Sequence, residues 1–231
     1  MSKNEVYEIN KNIEKLLNGG YTNFITPNYL KLISYRLKSN EYNIYYLYDD
    51  CDKVILYTDE IPKVRLLEIV SYRELRHSDI LGSLFGLNIS NEVFGDIIIY
   101  NGKYYVYLID EISDFVKDNL NMIGSNYVKL KEVDLDTLNY YKREFKDYSL
   151  IVSSNRIDTV VSRIIGTSRD KVKEKIKNKE IILNYEVLSN NSYVLKEGDV
   201  FSIRKYGKYK FMGIEKMTKK DNYIINLKKY I

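Results

Sequence analysis

The stretch Asn155–Met212, NRIDTVVSRIIGTSRDKVKEKIKNKEIILNYEVLSNNSYVLKEGDVFSIRKYGKYKFM, decides how the chain is read. Two short amphipathic helical patterns come first and alternating strand patterns follow. Thr167 or Ser168 is placed to cap a second helix over about 168–178. Val172 and Ile176, four apart, share its buried face. Arg169, Lys173 and Lys177 share the same spacing and form a cationic row beside that face, with Lys171 and Lys175 in a second row. Asp170, Glu174 and Glu180 are the offsetting acids. Ile181, Leu183 and Val187 then suggest a hairpin, and Gly198-Asp199 marks a turn before the half-buried strand Val200–Arg204.

In order along this stretch stand Arg156-Ile157-Asp158, Ser168-Arg169, Val172, Ile176, Ile181, Leu183-Asn184, Val187, Tyr193 and Gly198-Asp199. This series resembles the S4 RNA-binding domain. Three positions depart from the family pattern: Val172 stands where Ala is usual, Lys179 where Gly usually ends the helix, and Tyr185 where Gly usually follows Asn. A side chain at positive φ costs on the order of 1 kcal/mol, so a different type of turn is expected at Asn184-Tyr185.

Composition bounds the rest. With 231 residues the chain has room for two or three small domains, and 45% hydrophobic with 29% charged residues is ordinary for a soluble protein. No apolar run approaches the ~20 residues that span a bilayer. The polar start MSKNEVYEINKN argues against a secretory signal, so a cytoplasmic location is expected. The single cysteine, Cys51, has no internal disulfide partner, and its flanking carboxylates, Asp50 and Asp52, disfavour a reactive thiolate. The turn Asp49-Asp50-Cys51-Asp52 lacks EF-hand spacing and reads as a solvated turn, not a metal site. Charge is unevenly spread. Residues 151–231 hold 18 Lys+Arg against 9 Asp+Glu, net +9, while residues 1–150 are net −5. A polyanionic partner for the C-terminal part follows.

Along the first part, Val6, Ile9, Ile13 and Leu16 predict a helix over 4–18, stopped by Gly19-Gly20. Thr26-Pro27 opens another helix. Strands are expected over 42–48, 53–58 and 64–70, a helix over 78–87, and a hairpin of 97–100 with 103–109 about Asn101-Gly102. A helix over 110–121 and a strand over 127–133 complete a compact α+β unit. His77, the only histidine, and Asp79 read as braces for the helix start, since no nucleophile motif accompanies them. Gly82 and Gly86 read as points of close helix–strand packing. Beyond the S4-like part, 210–216 and 223–229 flank a basic tip, Thr218–Asn222.

His77, Asp79, Leu81-Gly82, Gly86, Gly95-Asp96 and Ile97, followed at the right distance by the S4-like stretch, resemble the YlmH family of S4-domain proteins, and Phe24-x-x-Pro27 fits that pattern too. The fold expected is α+β: a small α/β region over 1–72, a central α+β RNA-binding-like domain over 73–150, and over 151–231 an S4 domain with a helix-turn-helix and a small sheet. The resemblance implies a monomeric, non-enzymatic protein without cofactor. It also implies structured RNA (rRNA or tRNA) and the large ribosomal subunit as partners, a role in rescuing stalled translation, and a cell-division link. Arg156, Ser168, Arg169, Lys173, Lys177, Asn184, Arg204, Lys205, Lys208 and Lys210 are the candidate RNA contacts. The rivals are an RNA-modifying enzyme and a division-complex scaffold. The former needs a catalytic Asp motif or a Gly-rich methyl-donor site, and neither stands in residues 1–150.

Overall fold

A computed structural model describes residues 3–231, with side chains from Val6 onward. The chain divides into two compact units that meet between Lys142 and Arg143. The first begins with helices α1 (Lys3–Leu17) and α2 (Pro27–Ser34) and a two-stranded ribbon, β1 (Asn43–Tyr46) with β2 (Val54–Tyr57). There follow β3 (Val64–Ser71), α3 (His77–Gly86), β4 (Phe94–Tyr100), β5 (Lys103–Ile109), α4 (Asp110–Asn119), β6 (Met122–Ile123) and β7 (Asn126–Val133). Gly19, at φ +82°, ends the first helical segment, as its position after Leu16-Leu17 predicts. Asn101 and Gly102, both at positive φ, make the β4–β5 hairpin turn.

Strands β4-β5-β3-β7-β6 form one antiparallel sheet in that order. The run β3-α3-β4-β5-α4-β7 is therefore the ferredoxin-like βαββαβ pattern, extended by the short β6. Both faces carry core. On one, Leu67, Ile69, Val106 and Phe94 pack with Ile80 and Leu84 of α3 and Val116 of α4. On the other, Leu66, Tyr105 and Tyr107 are covered by Phe24 and Ile55 from the N-terminal segment. Gly95 lies under this cover, where an added Cβ would sit 2.8 Å from Leu47 and 3.1 Å from Phe24. Gly82 and Gly86 do not: a Cβ at either would meet nothing within 4 Å. The close helix–strand packing expected of Gly82 and Gly86 is thus not found, because both face solvent.

The second unit holds β8 (Phe145–Val152), α5 (Ile157–Ile165), α6 (Arg169–Lys177), β9 (Ile181–Leu183), β10 (Glu186–Val187), β11 (Val200–Ile203), β12 (Gly207–Met217) and β13 (Tyr223–Tyr230). Its sheet runs β10-β9-β11-β12-β13-β8. Strand β8 pairs with β13 over eight residues, so it belongs to this sheet although it begins before residue 151. Val160, Val161, Val172 and Ile176 of the helix pair pack on one sheet face against Ile181, Phe201, Phe211, Ile225 and Leu227. Residues alternating with these, Lys208, Lys210 and Lys228 among them, lie on the other face.

Candidate nucleic-acid interface

The α5–α6 pair is built around one buried carboxylate. Asp158, in the first turn of α5, is fully buried. Arg156 donates to it through Nε (3.2 Å) and Nη2 (2.9 Å), and Arg169 through Nε (3.3 Å) and Nη2 (2.8 Å). Burial alone would raise the Asp158 pKa, but the hydrogen bonds from Arg156 and Arg169 outweigh it and hold the carboxyl below its ordinary range. Arg156 also donates to Ser192 Oγ at 2.9 Å. Two of the expected phosphate contacts are therefore joined as internal struts, although both keep a partly exposed side chain, 34% for Arg156 and 48% for Arg169. Spacing on a helix cannot reveal this, since the partner lies eleven residues away on another helix.

Helix α6 begins as its sequence predicts. Ser168 is the N-cap and its Oγ accepts from the Lys171 N–H at 3.4 Å. Lys173 is exposed and pairs with Asp170 at 2.8 Å, and Lys177 is exposed in the last turn. The helix ends with Lys179 at φ +58°. Its N–H donates to the Ile176 carbonyl and that of Glu180 to the Lys175 carbonyl, the two bonds of a Schellman motif. Glycine is the usual residue there. Here the Lys175–Glu180 ion pair (2.7 Å) closes the same loop, and the Lys175 hydrogen bond holds the Glu180 carboxyl below its ordinary range. Arg204 and Lys205, on the β11–β12 turn, lie close enough to Glu180 to add to that effect, so this turn meets the C-terminal end of α6.

The Asn184-Tyr185 turn corrects an expectation. Both residues adopt positive φ, 47° and 67°, so the two-residue hairpin keeps the type I′ form despite the missing glycine. Asn184 is occupied in holding it: Nδ2 donates to Asp199 (2.8 Å) and Oδ1 accepts from the Val200 N–H (2.9 Å). Asp199 is buried and also accepts from the Lys196 N–H. The Tyr185 ring packs against Lys208, whose Nζ lies 4.8 Å from the ring centre.

Lys208 and Lys210 occupy the sheet face opposite the helices. Lys208 Nζ also lies 4.6 Å from the Tyr230 ring centre, Lys228 lies 5.5 Å from that of Phe145, and the Phe145 and Tyr230 rings meet edge to face at 5.0 Å. Sequence reasoning missed Phe145, Lys228 and Tyr230. The alternation of Lys228 and Tyr230 along β13 was the available signal. The ten expected residues thus fall into separate groups. Arg156, Ser168 and Arg169 gather at the helix starts, and Lys173 and Lys177 stand on the exposed side of α6. Arg204 and Lys205 sit at its far end, Asn184 lies inside a turn, and Lys208 and Lys210 are on the other face.

In the first unit, Asp79 accepts from Arg76 at 2.9 and 2.8 Å and braces the start of α3, the structural part expected of it. Among the described residues no group of His, Cys, Asp and Glu has the arrangement of a metal site, and no helix is long and apolar enough to cross a membrane.

Residues 63–137 match the family described as "Putative RNA-binding domain in YlmH". The chain is 31% identical over 153 residues to "Ribosome-associated protein quality control protein P2" of Bacillus subtilis (strain 168), a match that covers 66% of this chain. The chain spans 60% of the length of that relative. Among solved structures it is similar to "Cell division protein ylmH from Streptococcus pneumoniae", at 23% identity and a TM-score of 0.46, over 60% of this chain and 96% of the other.

Proposed function

We propose that this YlmH-like chain is a non-enzymatic RNA-binding protein that works in association with the ribosome. The observation that carries the reading is the charge of the second unit: residues 143–231 hold 20 Lys+Arg against 11 Asp+Glu, and Asp158 and Asp199 are buried inside it. The surface is therefore more cationic than the net +9 suggests. The match of 63–137 to an RNA-binding family and the similarity to a ribosome-associated quality control protein support the same partner. The finer reading is an S4-type unit that meets structured RNA, ribosomal or transfer, on the large subunit during rescue of stalled translation.

In this reading Lys173 and Lys177 face phosphates along one groove, and Arg156 and Arg169 reach the same backbone with the guanidinium edges that Asp158 leaves outward. Arg204 and Lys205 extend the contact beyond the end of α6. Recognition of an A-form helix in this way depends on shape and phosphate position more than on sequence. The test is a titration of the full chain with a structured RNA at several salt concentrations. About five phosphate contacts give a slope near −4 in log affinity against log salt, at about −0.7 to −0.9 per contact. A flat response would remove the electrostatic basis of the reading.

A further inference from the structure

The five-stranded sheet of the first unit is covered on one face by α3 and α4, and on the other only in part. Residues directly opposite across antiparallel strands share a face. On the face away from the helices, Glu68 stands opposite Tyr105 and Lys131, Val70 opposite Lys129, and Met122 opposite Tyr127. The same face carries Leu66 and Tyr107, which lie under Phe24 and Ile55. The cover stops short of the far end. There Val70 and Met122 are each 42% exposed and Tyr127 77%, while Tyr72, just past the end of β3, is fully exposed at 102%.

The charge of this open half is cationic although the unit as a whole is acidic. Lys103, Lys129, Lys131 and Arg73 are exposed around it. The carboxylate within it, Glu68, is paired with Lys103 at 3.1 Å, and Glu74 follows in the adjoining loop. Other carboxylates of the segment gather elsewhere: Asp110, Asp114 and Glu132 surround Arg65. The exposed Tyr127 ring, two exposed apolar side chains and three strand lysines on one pleated surface, with the exposed Tyr72 just past the end of β3, make a platform for planar bases joined by phosphates. Ring faces stack on any base, and the lysines set the polarity of the partner.

We propose that this open half-sheet binds unpaired RNA bases, with Tyr72 and Tyr127 stacking on bases and Lys103, Lys129 and Lys131 facing the phosphates. The proposal rests on the reading of the chain as an RNA binder and adds a site for single strands, apart from the helix-bearing unit that meets structured RNA. The chain has no tryptophan, so Tyr72→Trp introduces a sole indole emitter into the full-length protein. The probes are an oligouridylate of about twelve nucleotides and a hairpin RNA without a long loop. Oligouridylate should quench the emission of the Tyr72→Trp variant. Tyr127→Ala, and separately Lys129→Glu with Lys131→Glu, should weaken oligouridylate binding by about tenfold and leave hairpin affinity within about twofold. Because these side chains are exposed, unchanged thermal melting should accompany each variant. Oligouridylate binding by anisotropy without any change in emission would overturn the site, and so would unchanged affinity in the lysine variant. If hairpin RNA binds and oligouridylate does not, this site fails and the RNA-binding reading stands. If neither RNA binds, the RNA-binding reading fails, and this site with it.

Discussion

Arg65 in the first unit and Asp158 in the second are inverse arrangements of the same chemistry. Arg65 is one guanidinium among three carboxylates, Asp110, Asp114 and Glu132, each of them partly exposed. Asp158 is one buried carboxylate between two guanidinium groups that reach the surface. The first cluster leaves negative charge facing solvent and the second leaves positive charge. Both are ion-pair networks, yet they give the two units opposite surfaces. The second unit buries two of its acids, Asp158 and Asp199, as internal braces and exposes most of its bases. In the first, Arg65, Arg76 and Lys117 are paired with partly exposed acids.

Each of the two units is cohesive by itself, and fragments test this. Strand β8 pairs with β13 along its whole length. A fragment of residues 143–231 should unfold cooperatively in urea with dispersed NMR resonances. One that begins at Ile151 removes most of an eight-residue strand and uncovers Leu227 and Ile225, so it should lose cooperativity altogether. Equal behaviour of the two fragments would show that β8 adds nothing to this unit.

Next in size is the contrast between the two clusters. Asp158→Ala leaves two guanidinium groups without their buried partner, and loss of one member of a buried pair costs about 3–5 kcal/mol. Arg65→Ala should cost far less, because its partners are already solvated. Chemical denaturation of both variants measures the difference, and similar losses would end the distinction. The pH dependence has a fixed sign. The folded pKa of Asp158 lies below its unfolded value of about 3.9, so the stability it contributes is complete above that value. It is lost as pH falls through the folded pKa, and Asp158→Asn should lack this part of the acid transition.

The third contrast separates bracing from binding within one row of α6. Arg169, Lys173 and Lys177 look equivalent in sequence, where all three stand in one cationic row. The structure places the Arg169 guanidinium on Asp158, so Arg169→Glu would set two carboxylates together in a buried place and should unfold the helix pair. Lys173→Glu with Lys177→Glu touches only exposed side chains. It should retain the wild-type melting temperature and weaken structured-RNA binding by about tenfold or more. Normal RNA affinity in a folded double variant would mean that the exposed side of α6 is merely solvated.

Much of the fold was legible because its punctuation is local. Gly19, Asn101-Gly102, Ser168 and Gly198-Asp199 each fix a turn or cap through their own conformational preference, and the structure has breaks at all four. What was hidden depends on distant partners. The apolar run Tyr148–Val152 reads as a strand in the sequence, but the Phe-Lys-Asp start of β8 is too polar to announce one until β13 lies beside it. Lys53 is buried because the carbonyls of Asn91 and Phe94 receive its ammonium, which no local pattern signals. The positive φ at Lys179 and Tyr185 goes against side-chain preference, and bonds from the surrounding chain hold both residues in place. For the candidate interface, residue types were legible but sidedness was not. Lys205 and Lys208 are three residues apart, yet one lies at the end of α6 and the other on the opposite sheet face, because the β11–β12 hairpin turns between them.

The smallest expected effect tests whether position matters at all. Lys219 and Lys220 stand exposed on the turn between β12 and β13, outside the helix pair, and the Thr218 N–H bond to the Asn222 carbonyl at 2.7 Å closes that turn. Lys219→Glu with Lys220→Glu changes the charge by the same four units as the α6 double variant. At physiological salt a charge is felt over about 8 Å, so a tip that does not touch RNA should contribute only a residual attraction. We expect less than about a threefold loss of affinity, shrinking further as salt is raised, against about tenfold for Lys173 and Lys177. Parallel salt titrations of the two double variants provide the measurement. Equal losses with equal changes of slope would mean that RNA is held by diffuse attraction to a cationic unit, and the division of the interface into located contacts would have to be given up. A larger loss at the tip would move the interface onto the β12–β13 hairpin. The inverse arrangement of Arg65 and Asp158 would then still explain why this unit is cationic, though not where RNA lies on it.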